Sequence, residues 1–401
     1  MLRTQNRWVV SVGCAMLVGL LLLLVLRAQA ASEVKIGLVF PLTGKLASFG
    51  RASVAGCEIA ADFINKAGGV KGLDGAKVVL VPVDSGSDPT SAGSATQRLL
   101  SREKVSAVIG CFASSLSLAA SEVTERNRVP FLSMSFTDQL TDRGFKYVFR
   151  VVPNGSLFGA AQVTQAMEIS QKTGHSLKRV AILFEDTAYG SAQADGLEAG
   201  AKKSGLEVAL KEGYPAGITD VTSIIQKLRM SNADAVFPVS YFTDAVLIIR
   251  SMRQAGLKTP IFGGAAGYVI QDFRDALGDL TEGVLSINSS CYDHYGAYGK
   301  AYQNKMGKFM PHDGFSHAVC VQAIIEAMNE TKSADPEKLG PALHKVHLTA
   351  MPAAALPGGG VKFDDSGANT IAFPITIQWQ KGEMVSVWPE SYAKGQPYWP
   401  K

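Results

Sequence analysis

The sequence predicts an α/β protein folded as two doubly wound parallel-sheet lobes, and three observations predict it. Residues 33–84 read as strand, helix, strand, the βαβ unit from which parallel sheets are built. Short apolar strands then alternate with amphipathic helices to residue 150, and the same rhythm restarts at Arg179. At 401 residues the chain is too long for one core and suits two domains of ordinary size.

The elements follow in order. Lys35 to Phe40 is the first strand, Pro41-Leu42-Thr43-Gly44 a turn, and 44–50 a loop. The next helix sets Val54, Cys57, Ala61 and Ile64 on one face, a spacing suited to packing on a sheet, and stops at Gly68-Gly69. Val78 to Val83 is the second strand, ending on Asp84; strands at 107–110, 129–132 and 147–150 continue the series. After a lobe division near Val152-Pro153-Asn154, strands fall at 179–184, 207–210, 235–237 and 260–262, with helices near 190–204, 221–231 and 244–254. Beyond Gly283-Val284 the chain turns helical at 295–309, 315–329 and 336–346. The tail, at 361–363, 373–380 and 384–387, alternates like antiparallel strands joined by Lys381-Gly382.

The first 30 residues read as a cleavable export signal. Arg3 and Arg7 give a positive start, Val9 to Leu26 is almost continuously apolar, and Ala28-Gln29-Ala30 fits the small-x-small cleavage rule. The competing reading is an uncleaved anchor, since ~18 apolar residues just span a bilayer. Cys14 sits too early in the apolar run for a lipoprotein site. Losing the three Arg of this segment leaves 36 basic against 35 acidic residues. No basic field remains for nucleic acid or an anionic membrane. Cys57, Cys111, Cys291 and Cys320 pair in any of three ways in an oxidising compartment, while Cys57 and Cys320, on helical apolar faces, read at least equally as buried free thiols.

Two hydroxyl-rich loops carry the candidate chemistry. Gly110-Cys111-Phe112-Ala113-Ser114-Ser115-Leu116-Ser117 follows a strand and opens a helix, so free N–H groups and Ser hydroxyls offer a seat for a carboxylate. The plain alternative is N-capping by Ser114 or Ser115. Ser133-Met134-Ser135-Phe136-Thr137-Asp138 also follows a strand, at the carboxyl edge where open α/β sheets bind ligands. Tyr189 and Tyr241 follow strands of the second lobe and would face those loops across a cleft. Enzyme signatures are scarce: no G-x-S-x-G, H-E-x-x-H, P-loop or G-x-G-x-x-G occurs. His344 and His347 lack a third ligand nearby in sequence. The pair Glu185-Asp186 reads as strand-end solvation. No cofactor is called for.

In this order, these features resemble the solute-binding proteins of branched-chain amino acid ABC transporters, which have the type I periplasmic binding fold. The likeness runs over nearly all of 33–390. It is carried by Ile36-Gly37 through Pro41-Leu42-Thr43-Gly44, Phe49-Gly50, Gly68-Gly69-Val70, Asp84-Ser85-Gly86-Ser87-Asp88-Pro89, Val108-Ile109-Gly110, Gln139-Leu140-Thr141, Tyr189-Gly190 and Val361-Lys362-Phe363-Asp364. The resemblance implies a three-strand hinge with crossings near 152–154, 280–284 and 350–360. It therefore implies a first lobe of 31–153 plus 284–350, a second of 154–283 plus 351–390, and a tail of 391–401. It implies a ligand carboxylate on Ser114, an aromatic neighbour at Phe49, and covering tyrosines at Tyr189 and Tyr241. In amino-acid binders a Thr and a Glu hold the α-ammonium. The Thr maps to Thr137 counting forward or Phe136 counting backward, and the Glu falls at about Ala265. A buried ammonium without an acid costs several kcal/mol. Either Asp138 takes over, or the ligand lacks an α-ammonium. The family's disulfide positions fall at Ser87 and Ala113, and are empty.

The expectation is a monomeric periplasmic clamp that passes an amino acid, or an aromatic or branched carboxylate, to an inner-membrane ABC permease. A sensor of the same fold is the alternative. An enzyme using Ser114 or Ser115 as nucleophile would need its base from across the cleft, since no His precedes His175.

Overall fold

The computed structural model describes residues 32–400, so the export signal and Cys14 lie outside the described residues. Glu33–Phe40 (β1) leads through helix Ala47–Lys66 (α1) to Lys77–Asp84 (β2). Pro89–Arg102 (α2), Ala107–Gly110 (β3), Ser114–Arg126 (α3), Phe131–Ser133 (β4), Gln139–Asp142 (α4) and Val148–Arg150 (β5) complete the first series. The five strands form one sheet in the order β2-β1-β3-β4-β5, with every pair parallel. That order puts a topological switch point between β1 and β3, where crevices for ligands open in doubly wound sheets.

The second series begins with Gly155–Lys172 (α5), whose Asn154 cap accepts from the Leu157 N–H at 3.0 Å. Arg179–Glu185 (β6), Ala188–Lys203 (α6), Glu207–Tyr214 (β7), Thr222–Ser231 (α7), Ala235–Val239 (β8), Phe242–Gln254 (α8), Phe262–Gly263 (β9), Gln271–Leu277 (α9) and Leu285–Asn288 (β10) follow. Strand β6 lies between β7 and β8, both parallel to it. The parallel bridge Val236–Ile261 joins β8 to the stretch that becomes β9. Along this half the order β7-β6-β8-β9-β10 repeats that of the first sheet, so a second switch point falls between β6 and β8.

Two crossings differ from the sequence expectation. The expected first lobe resumed at 284, yet β10 pairs with β9 and with Ile375–Gln380 (β13) of the second sheet. The chain therefore leaves that sheet after Asn288. Helices Ala297–Met306 (α10), His312–Thr331 (α11) and Pro336–Leu343 (α12) come next, then the antiparallel pair His347–Leu348 (β11) and Val361–Lys362 (β12). The second lobe was expected to resume at 351. Instead Ala368 bridges Arg150 at the edge of the first sheet, and the Asn369 N–H donates to the Arg150 carbonyl at 3.0 Å. The third crossing lies between Asn369 and Ile375.

Strands β13 and Glu383–Trp388 (β14) form the expected antiparallel hairpin, with Lys381 and Gly382 both at positive φ, as a tight primed turn requires. The stretch beyond 390 packs on the second lobe, where the Trp399 ring meets Phe262. The α1 stripe also meets α11, where the Cys57 thiol lies 3.7 Å from the His317 carbonyl oxygen. A Cβ at Gly56 would stand 1.9 Å from the Gly314 carbonyl oxygen, so only glycine admits this approach. All four described cysteines are buried free thiols.

Candidate functional site

The two switch points face each other. From the first lobe, Phe49 at the start of α1 stacks on Phe112 with ring centroids 4.3 Å apart. Both meet Tyr241 of the second lobe, at 6.0 and 5.7 Å, and Tyr241 meets Tyr189 at 5.2 Å. Phe136, after β4, reaches Tyr189 at 6.0 Å. Phe49, Phe136 and Tyr189 are buried, and Tyr241 is half-buried. The Phe112 residue between strand and helix holds φ at 72°, a conformation costly for a non-glycine residue.

The first lobe's loops are fixed from below by a buried hydroxyl net. Ser117 Oγ accepts from the Cys111 N–H at 2.9 Å and lies 2.5 Å from Ser135 Oγ. Ser135 Oγ also sits 2.9 Å from Ser133 Oγ and donates to the Phe112 carbonyl at 3.0 Å. Ser135, a candidate ligand contact, is thus a strut under the loop. Ser114 Oγ accepts from the Thr137 N–H at 3.2 Å, tying the two loops together. The Thr137 carbonyl accepts from buried Arg150 at 3.0 Å. Helix α3 therefore starts at Ala113 with no side-chain cap, and Ser115 beside it is half-buried. Capping by Ser114 or Ser115, the plain reading, does not occur; uncapped N–H groups are an anion seat.

Asp138 has a different task from the one considered for it. Its two oxygens accept from Ser156, one from the hydroxyl at 2.8 Å and one from the N–H at 3.2 Å. It anchors the first crossing. Ala265 is fully buried at φ 67°, its N–H donating to Ser286 Oγ at 3.0 Å, and brings only a methyl group.

The second lobe holds an acid that the strand-end reading missed. Asp186 is exposed, but Glu185 is wholly buried. Its carboxyl accepts from Thr187 Oγ at 2.9 Å and from the Tyr241 N–H at 3.1 Å. Burial pushes its pKa up to about 8, reinforced by Asp244 and opposed by those hydrogen bonds and by Lys45. Thr187, unlike Ala113, caps its helix: its hydroxyl accepts from the Gly190 N–H at 3.3 Å. The Tyr189 hydroxyl donates to the Gly264 carbonyl. Across the cleft, Lys45 Nζ donates to the Ala216 carbonyl at 3.4 Å, and Lys308 pairs with Asp272.

Beside Phe49 a cleft of about 130 Å³ opens between the lobes, bounded by Ala52 and Pro311 on one side and Ile270 and Gln271 on the other. The His344 ring is occupied by the carbonyls of Asp364 and Lys146, at 2.8 and 3.0 Å. Among the described residues no three His, Cys, Asp or Glu side chains converge as metal ligands, and no helix is long and apolar enough to cross a membrane.

Residues 33–379 match the family described as periplasmic binding protein. A Leu/Ile/Val-binding protein homolog of Brucella melitensis biotype 1 is 35% identical over 379 residues, covering 91% of this chain and 92% of that protein. The leucine binding protein LivK of Thermotoga maritima MSB8 superposes with a TM-score of 0.77 at 25% identity, over 88% of this chain and 97% of its own. A solute binding protein of R. palustris solved with benzoate superposes equally, at 0.77 and 19% identity, over 88% and 95%.

Proposed function

The chain belongs to the periplasmic binding protein family, and on that premise we propose that it is the solute-capturing component of an ABC importer. It acts in the periplasm after loss of residues 1–30, as a monomer, and presents its closed form to an inner-membrane permease. The observation that carries this reading is the meeting of two switch points. An uncapped helix start on one lobe stands against two tyrosines on the other. Such a site binds and encloses a solute, closing about the three crossings.

The solute carries a carboxylate seated at the start of α3, and an apolar body among Phe49, Phe112, Phe136, Tyr189 and Tyr241. Two readings of its other features have support. The methyl group of Ala265 and the engagement of Asp138 by Ser156 favour a carboxylate without an α-ammonium, as in the benzoate-bound neighbour. The naming of the 35% identical relative favours a branched-chain amino acid, in which case Glu185, beside Tyr241, is a buried acid for its ammonium group. Either way the family is one of substrate-binding proteins, and no group here is assigned to turnover.

Thermal unfolding of the exported protein, stripped of solute by unfolding and refolding, tests this against leucine, isoleucine, valine, benzoate and branched carboxylates. A solute at 100 times its Kd adds about 2.7 kcal/mol, a clear shift. A shift with the carboxylates alone selects the first reading, and a shift with the amino acids selects the second. No shift with any of them overturns both.

A further inference from the structure

The first turns of α11 hold a concentration of unmet polar atoms that the clamp described above does not use. His312, Asp313, Ser316 and His317 are all buried. Among the described residues, His312 Nε2, Asp313 Oδ1, Ser316 Oγ and both ring nitrogens of His317 find no hydrogen-bond partner. Buried polar groups are almost always paired, because leaving one unpaired costs roughly 1–3 kcal/mol. Five such atoms within six residues are a feature to be explained.

Their position gives the explanation. The His312 ring stacks on Phe136 at 5.9 Å, one ring away from Tyr189, and its Nδ1 lies 3.0 Å from Ser289 Oγ just past the second crossing. Pro311, which starts the helix without a side-chain cap, lines the interlobe cleft. Asp313 accepts from Ser53 of α1 at 3.3 Å, four residues beyond cleft-lining Phe49. His317 lies edge-on to Phe40 at the carboxyl end of β1. The cluster therefore stands just beneath the cleft on the first lobe, behind Pro311 and beside Phe136, on a different element from the α3 start.

Its chemistry is that of a neutral site. Burial pulls both histidines down to about 3, so each offers one donor and one acceptor. Burial pushes Asp313 up to about 7, and no lysine or arginine among the described residues pairs with it. Ser316 adds a hydroxyl.

We propose that the first turns of α11 are a further solute-contacting element, which takes an uncharged hydrogen-bonding group, a hydroxyl or carboxamide, at the end of the solute remote from its carboxylate. This rests on the clamp reading above. It extends that reading from a wholly apolar solute body to one that is polar at its tip.

The test uses matched pairs by calorimetry on the exported, solute-stripped protein: 4-hydroxybenzoate against 4-methylbenzoate, and glutamine against leucine. In at least one pair the polar member should bind tenfold or more tightly, as expected for one buried hydrogen bond. Ser316→Ala and His312→Phe, the latter keeping the stack on Phe136, should each reduce that preference at least threefold. Unchanged unfolding temperatures would show that both variants fold. Equal affinity within each pair, or tighter binding of the apolar members, overturns this inference and leaves the clamp intact. A preference that survives both substitutions also overturns it, by placing the polar contact elsewhere. Binding of none of the four overturns the clamp reading for these solute classes, and the inference with it.

Discussion

Helices α3 and α6 each begin just after a strand that borders a switch point, one in each lobe, yet they begin differently. At α6 the Thr187 hydroxyl caps the first turn and also donates to buried Glu185. At α3 the cap position is Ala113, and the nearby hydroxyls are turned to other duties: Ser114 to Thr137, Ser117 to Cys111. A cap stabilises a helix by about 1 kcal/mol. The start of α3 forgoes that and leaves its N–H groups uncapped, whereas the start of α6 is satisfied by its own side chain. On the proposed reading, the difference would let one lobe set a solute's charged end while both lobes enclose its body.

The largest effect concerns the acid of the second lobe. Glu185→Ala strands the Tyr241 N–H and the Thr187 hydroxyl in the interior and should cost about 3 kcal/mol in urea unfolding. The same residue predicts the pH profile. With a folded pKa near 8 against about 4.5 unfolded, the folded state binds the extra proton. Stability is therefore full below the unfolded value and is lost as pH rises through 8. Asp313, raised to about 7, adds to that limb. His312 and His317, lowered to about 3, act oppositely: their share is full above about 6.5 and lost as pH falls toward 3. Unfolding midpoints from pH 3 to 9 should describe a dome. Glu185→Gln should flatten the alkaline side and leave the acid side alone; an unchanged alkaline side would mean that Glu185 is ionised in the fold.

Giving α3 the cap it lacks sharpens the comparison next. Ala113→Ser should raise stability by about 1 kcal/mol and weaken solute binding about tenfold, since cap and solute compete for the same N–H groups. A stabilised protein with unaltered Kd would place the carboxylate elsewhere. Tyr189→Phe removes the donor to the Gly264 carbonyl and should weaken closure about fivefold, near 1 kcal/mol, by calorimetry. Smallest is Lys45→Ala. Its exposed contact with Ala216 should change Kd less than about twofold, and a larger loss would make it a latch.

What the sequence disclosed is what local periodicity carries. The alternation of strand and helix, the Lys381-Gly382 hairpin and the two hydroxyl loops are visible because each depends on residues within a few positions. The crossings are not of this kind. Leu285 to Asn288 is apolar enough for either sheet, and only its pairing, with Phe262–Gly263 on one side and with Ile375 to Gln378 some ninety residues later on the other, assigns it. Glu185 was unreadable for the same reason, since its burial depends on the loop at Tyr241 closing over it. Asp138 looked free for a ligand because Ser156, the residue that occupies it, lies beyond the first crossing. The α11 cluster hid inside an unremarkable helix, whose depth follows from the contact of Gly56 with Gly314.

The pairing of β10 with β13 also sets the order in which the molecule can be completed. All five strands of the first sheet lie within residues 33–150, so its strands are complete once less than half of the chain has emerged, with only the Ala368 bridge to its edge to follow. The second waits for residues 375–388, and until they arrive β10 is a bare edge with open N–H and C=O groups. Such edges recruit other chains. Polypeptides cut short before residue 375 should therefore self-associate, although every residue assigned to the cleft is already present in them.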